Sequence, residues 1–345
     1  MKHHIELGNF SLSSPVFANF GVDSIIRKGL PISCFGNRVG DSIPDIKDSL
    51  DESIIESYLG GGTSTYWGKV RGRGSKITGG SVSEGSFSFL PMYEAAIKTI
   101  SQGGVRRGHM AVYQDISHPD VEEWLDIQSE GNPIQIMTYG LCVADDWLEE
   151  MKAGDDHKRE IWAKVLDSRE KRGLPYLFFT DNVNKNKPEI YKIKEKHIEA
   201  SNLCTEIMLP YSDDESFVCC LSSMNLENYD DWKDTDAVEA IVYLLDAVIT
   251  EYIDKAAMYP DLVKTVNFSS RHRAIGIGAL GWHSYLQKKS IPFDDIQAVF
   301  LTGDIFKDIQ AQATKVSQDM VQVHGYERPE IFDGTDIYMR HATLT

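Results

Sequence analysis

The stretch SNLCTEIMLP, residues 201–210, places an amide, a thiol and a carboxylate at alternate positions: Asn202, Cys204 and Glu206. Successive side chains of an extended chain point to opposite sides, so a strand here turns all three to one face. Such a face combines a hydrogen-bonding amide, a redox-capable thiol and a proton-accepting carboxylate. The other thiols are Cys34, Cys142, Cys219 and Cys220. Five is an odd number, and no CxxC or Cys/His spacing suggests a zinc site, so no metal is expected. In a reducing cytoplasm the simplest reading of these cysteines is buried thiols.

The elements that must carry these groups alternate between strand and helix. DTDAVEAIVYLLDAVITEYIDK offers Asp234 or Asp236 as an N-cap, then Val238, Ile241, Leu245, Val248 and Tyr252 at helical spacing. DIFKDIQAQATKVSQDMVQVHG repeats the pattern through Ile305, Ile309, Ala313, Val316 and Met320, with Gly325 as its stop. LPYLFFT and NLCTEIML are apolar runs of strand length, which together predict an α/β architecture. No internal repeat or low-complexity linker interrupts them.

A chain of 345 residues with 42% hydrophobic and 25% charged residues reads as an ordinary globular protein of one large or two moderate domains. No apolar run is long enough for a bilayer, and the N-terminus MKHHIELGNF lacks the apolar core of a secretory signal, so a cytoplasmic location is expected. Thirty-five basic against 52 acidic residues give a net charge of −17, which repels polyanions and argues against general nucleic-acid binding. Small phosphorylated ligands remain compatible where cations gather. YLGGGTSTYWGKVRGRGSKITGGS gathers Lys69, Arg71, Arg73 and Lys76 beside Gly60, Gly61 and Gly62. It is neither a Walker loop nor a dinucleotide fingerprint, and phosphate binding and a solvated basic loop are both open readings. SQGGVRRGHM repeats the theme with Gln102, Gly103, Gly104 and Arg106, whereas the glycines of RHRAIGIGALGW suggest close helix packing.

Taken in order, SSPVFANF, LPISCFGNRVGDSI, SQGGVRRG, SNLCTEIMLP, FVCCLSSMNL and HRAIGIGALGW resemble the catalytic large subunit of ribonucleotide reductase, most closely its compact phage-type, aerobic versions. The resemblance extends from about Ser11 to the last residue. It implies an α/β fold, a ten-stranded barrel of two half-barrels with a central finger loop. Residues 1–200 are then the first half-barrel with substrate and effector loops, and 201–345 the finger loop and part of the second half-barrel.

The resemblance also implies chemistry. Cys204 matches the thiyl position that takes the ribose 3′-hydrogen, Glu206 the carboxylate that takes the 3′-hydroxyl proton, and Asn202 the amide that holds the hydroxyls. Cys34 and Cys219 match the thiols that end as a disulfide. Neighbouring Cys219 and Cys220 point opposite ways in a strand and would form a strained disulfide, so a distant partner for Cys219 makes physical sense, although the vicinal pair leaves Cys220 open for that role. Ser14, Ser33 and Gly62 match further substrate contacts.

Asp41, Ser42, Ile43 and Arg71 match the site of a deoxynucleoside triphosphate or ATP effector with magnesium, and Gln102, Gly103 and Arg106 match the base-selection loop. Thr78 stands where many relatives have arginine. The implied partners are a ribonucleotide substrate, a metal-containing small subunit that supplies the radical, thioredoxin or glutaredoxin, and a second copy in a homodimer. No tightly bound cofactor in this chain is implied. The chain stops at RHATLT, before the family's phosphate loop, tyrosine relay and C-terminal dithiol, so a complementary C-terminal chain is expected as well. The competing readings are a glycyl-radical lyase of the same barrel, some of which use adjacent cysteines, and a non-catalytic nucleotide-binding relic.

Overall fold

The computed structural model describes residues 1–22, 29–100 and 107–344. Nine strands occur among them: β1 (Phe10–Leu12), β2 (Cys34–Arg38), β3 (Gly62–Tyr66), β4 (Met110–Asp115), β5 (Thr138–Val143), β6 (Tyr176–Phe179), β7 (Phe217–Cys219), β8 (Leu221–Asn225) and β9 (Gly276–Leu280). The chain forms two compact units, one of Cys34–Phe217 with Tyr259–Thr265, the other of Met1–Ser33, Val218–Met258 and Val266–Thr345. Both are built from separated stretches, whereas the sequence suggested contiguous halves divided near residue 200.

In the first unit β2 to β6 lie side by side in chain order, every neighbouring pair parallel. Parallel neighbours need crossover connections, and helices supply them, beginning with Ile43–Tyr58 between β2 and β3. That helix starts where Ser42 accepts a hydrogen bond from the Asp45 amide at 3.2 Å, with a proline in its first turn. Strand β3 is buried throughout, as the covered sheet of an α/β unit requires. The core closes around Trp67, whose ring meets Tyr93 and Trp124 edge-on at centroid distances of 5.0 and 6.2 Å. LPYLFFT supplies β6, as expected.

The inward face of Ile43–Tyr58 sets Ile46 and Leu50 beside a run of buried polar residues. Ser49, Glu52, Ser53, Glu56 and Ser57 are buried, while Ile54 and Ile55 are only half-buried. Ser49 donates to the Asn37 amide oxygen at 2.8 Å, and the Asn37 amide donates to Ser53 at 3.2 Å. No such ordinary partner reaches the four carboxylate oxygens of Glu52 and Glu56. Burial pushes both carboxyls up, Glu52 to about 7, against the pull of Lys264 at 4.0 Å and the nearby Ser216 hydroxyl.

In the second unit β8 is flanked by antiparallel β1 and parallel β9. The glycines of RHRAIGIGALGW therefore lie in and beside strand β9 rather than in a helix contact. The reason is the parallel pairing of Leu221–Asn225 with Gly276–Leu280. The helix Ala237–Ala256 buries all five residues of its expected stripe. Asp236 holds its N-cap position without capping, and instead accepts from His4 Nε2 at 2.8 Å. The helix Ile296–Gln322 buries Ile305, Ile309, Ala313 and Met320, with Ser317 rather than Val316 in the interior place.

Asp246, a buried residue of the helix Ala237–Ala256, accepts from Arg273 at 2.7 Å, Arg340 at 3.0 Å and His341 at 3.2 Å. Burial raises the Asp246 carboxyl, but the His341 hydrogen bond and the charges of the two arginines and the histidine outweigh it and hold it well below its ordinary value. Among the described residues no helix is long and apolar enough to cross a membrane.

Candidate active site

Residues 201–210 do not form the strand that their alternation suggests. The segment is an irregular loop with a turn at 203–205, closed by Asn202 N donating to Ile207 O at 3.3 Å and Thr205 N donating to Asn202 O at 3.1 Å. The Asn202 side chain makes this turn: its Oδ1 accepts from the Glu206 and Ile207 amides at 3.1 and 3.0 Å. Asparagine competes for backbone donors in this way, and strand pairing loses the contest. The expectation of one shared face is corrected accordingly. Asn202 turns inward and is fully buried, while Cys204 and Glu206 are exposed on the loop.

One polar atom at Asn202 is left over. Its Nδ2 is buried and has no hydrogen-bond partner in the structure. An unmatched buried donor of this kind costs about 1–3 kcal/mol.

The sheet positions the loop from below. Cys34 and Gly62 are the first residues of β2 and β3 and are register partners. A Cβ on Gly62 would lie 2.6 Å from Leu203 Cδ2, so glycine there lets the loop settle on the strand, next to the residue that precedes Cys204. Two residues that the sequence did not single out also hold the loop. The Tyr113 hydroxyl of β4 donates to Asn202 O at 2.8 Å and lies 3.0 Å from Thr205 Oγ1. Thr205 has φ +66°, a left-handed conformation that costs a β-branched residue about 1–2 kcal/mol. A threonine within two residues of the thiol was the available signal, but its backbone conformation is invisible in sequence.

Cys34, Cys142, Cys219 and Cys220 are buried and Cys204 is exposed, all five as thiols. Burial pushes the Cys142 and Cys220 thiols up, and Cys220 Sγ donates to Leu245 O at 3.6 Å, which fits packing roles for both. Cys219 lies in the second unit, where its carbonyl accepts from Ser33 Oγ at 3.2 Å. Ser14 begins a short helix of that unit and is exposed.

The structure joins the expected effector residues directly. Arg71 donates from its backbone and its Nε to the two Asp41 carboxylate oxygens at 2.8 and 2.7 Å. Burial raises the Asp41 carboxyl, but the Arg71 hydrogen bonds and charge outweigh it and hold it below its ordinary value. Ser42 and Ile43 are committed to starting the helix that follows. Gln102, Gly103 and Arg106 lie outside the described residues.

A separate cavity of about 570 Å³ opens at the C-terminal ends of β3 to β6, lined by Tyr66, Asp115, Cys142, Thr180 and Glu199 among others. The loop residues and Cys34 do not line it. Among the described residues no group of three or more His, Cys, Asp or Glu side chains is placed to hold a metal.

Comparison with known proteins gives a consistent set of matches. The family model for the barrel domain of ribonucleotide reductase matches residues 32–158 and 157–341. The putative ribonucleoside-diphosphate reductase large subunit of Frog virus 3 (isolate Goorha) is 36% identical over 357 aligned residues, which cover 98% of this chain and 60% of that protein. The vitamin B12-dependent ribonucleoside-diphosphate reductase of Thermoplasma acidophilum is 28% identical, over 92% of this chain and 42% of its own length. Among solved structures, the Actinobacillus ureae class Id ribonucleotide reductase alpha subunit superposes with a TM-score of 0.92 at 50% identity, covering 99% of this chain and 62% of that one. These matches bear out the barrel fold expected from the sequence. The chain spans about three-fifths of the length of the viral relative and of the solved alpha subunit.

Proposed function

We propose that this chain, which belongs to the ribonucleotide reductase large-subunit barrel family, carries the radical-bearing thiol and its acid–base partner for reducing ribonucleotides to deoxyribonucleotides. The observation that carries this reading is the loop itself: an exposed Cys204 and Glu206 beside a buried Asn202 whose Nδ2 awaits an acceptor. A ribose hydroxyl is such an acceptor.

A thiyl radical at Cys204 takes the 3′-hydrogen as Glu206 accepts the 3′-hydroxyl proton. The 2′-hydroxyl then leaves as water with a proton from one of Cys34 and Cys219. Those two thiols supply two electrons and end as a disulfide, and Cys204 returns the hydrogen to C3′. Atoms balance as ribonucleotide plus dithiol giving deoxyribonucleotide, water and disulfide. Thioredoxin or glutaredoxin would reduce that disulfide. Cys34 at the start of β2, next to Gly62 on which Leu203 rests, supports its part in this sequence.

The pairing of Asp41 with Arg71 supports an effector site in which the carboxylate orients the guanidinium toward a triphosphate, with magnesium accompanying the nucleotide. The segments that relatives carry beyond this length would supply the substrate-phosphate loop and the radical relay, and a homodimer is part of the reading. One relative is named as B12-dependent, but the nearer neighbour is named as an alpha subunit, which favours a separate subunit as radical source.

The test is reduction of ribonucleoside diphosphates by this chain, supplemented with the complementary region, a radical-supplying subunit and a thiol reductant. Cys204→Ala is expected to abolish turnover. Glu206→Gln should bind substrate normally and lose roughly 10²–10⁴-fold in rate. Undiminished reduction by Cys204→Ala would overturn the assignment.

A further inference from the structure

We propose that Tyr113 and Thr205 form a brace that fixes the direction in which the finger loop presents Cys204 and Glu206. The inference rests on the reading of Cys204 as the radical-bearing thiol, and makes Tyr113 a positioning residue for it. Tyr113 is fully buried in β4, so it meets no substrate and acts only through the loop.

The brace is a short chain of hydrogen bonds. The Tyr113 hydroxyl donates to Asn202 O, which leaves its oxygen to accept from the Thr205 hydroxyl. Asn202 O also receives the Thr205 amide, so one carbonyl is tied both to the sheet and to the turn. Burial raises the phenol well above its ordinary value, which keeps Tyr113 a neutral donor throughout the physiological range.

Geometry explains why this tyrosine can reach the loop. A Cβ on Gly140 of β5 would lie 2.4 Å from Tyr113 Cε1, so the ring occupies the space that the glycine leaves bare. At the other end stands the left-handed Thr205. Its φ sets how the chain turns from Cys204 to Glu206, and a relaxed, negative φ would redirect Glu206 relative to the thiol. A β-branched residue does not hold φ +66° unaided. The hydroxyl contact to Tyr113 is what over-determines it.

Hydrogen exchange on the chain as it exists tests the brace independently of catalysis. The Glu206 and Ile207 amides, bonded to Asn202 Oδ1, report opening of the loop. Tyr113→Phe keeps the ring and Thr205→Val keeps the shape, and each deletes a hydroxyl. Both should speed exchange at these two amides about fivefold, the worth of one hydrogen bond. Thr205→Ser retains the hydroxyl and should exchange like the parent, while amides of β4 stay unchanged in all three. In the reconstituted reductase, Tyr113→Phe should lower kcat with KM for the nucleotide held.

Unchanged exchange in Tyr113→Phe and Thr205→Val, or Thr205→Ser exchanging as fast as Thr205→Val, would overturn the brace. Loss of KM and kcat together in Tyr113→Phe would overturn its positioning role. Exchange that behaves as expected while Cys204→Ala still reduces nucleotides would leave the brace as a loop anchor and refute only the catalytic reading on which it was built.

Discussion

Glu52 makes the stability of this chain fall as pH rises from about 4.5 to about 7. Its carboxyl is buried, its oxygens lack ordinary partners, and burial lifts it from 4.5 to about 7. Lys264 at 4.0 Å pulls it down only in part, and Asp261 pushes it further up. The folded state therefore holds a proton that the unfolded chain has released, and between pH 4.5 and 7 it binds more protons than the unfolded state does. Stability contributed by this group is fully present below about pH 4.5 and is lost as pH rises through about 7. At ~1.4 kcal/mol per pH unit over that interval, the loss is roughly 3 kcal/mol.

Glu52→Gln keeps shape and hydrogen-bonding capacity and removes the titration. Urea unfolding at pH 5 and pH 8 should show the parent losing more stability between the two than the variant, by up to about 3 kcal/mol. Glu56, pushed up by burial and by the Glu52 charge, continues to titrate in the variant, so the variant's dependence is reduced rather than abolished. The reasoning is refuted if parent and variant lose the same stability between the two pH values.

Three further outcomes are expected. Mild oxidation of the folded chain followed by peptide mapping should yield a Cys34–Cys219 disulfide in preference to any pairing of Cys142 or Cys220, whose thiols burial holds protonated; a dominant Cys34–Cys220 bridge would transfer the redox role to Cys220. Asp41→Ala should release Arg71 from its carboxylate and weaken magnesium–triphosphate binding by about tenfold if Asp41 orients that arginine, and calorimetry showing parental affinity would remove Asp41 from the effector site. Asp246→Ala strands Arg273 and Arg340 beside an empty, buried place and should cost about 3–5 kcal/mol in thermal or urea unfolding; a loss under about 1 kcal/mol would show that the cluster contributes little.

What the sequence discloses and what it hides divide along one physical line. Stripes such as Val238, Ile241, Leu245, Val248 and Tyr252 are legible because apolar burial has the period of the helix itself, and all five are interior. The family motifs likewise expose Cys204, Glu206 and Asn202, since they are signals of residue type. Geometry at the loop is a different matter. Alternation there imitates a strand, and the loop wins because Asn202 Oδ1 captures two backbone donors and Tyr113 fastens the turn from 89 residues away. The helix Ile43–Tyr58 departs from apolar burial in another way, burying Glu52 and Glu56 while Ile54 and Ile55 stay half-exposed. Both places bury polar groups incompletely matched, namely the Asn202 amide and the two glutamates. Polar burial without partners is costly, so sequence patterns formed by apolar burial do not encode it. At Asn202 the proposed function supplies such a partner, a ligand hydroxyl beside the thiol, so the place where the strand expectation fails is also the place where the chemistry is proposed.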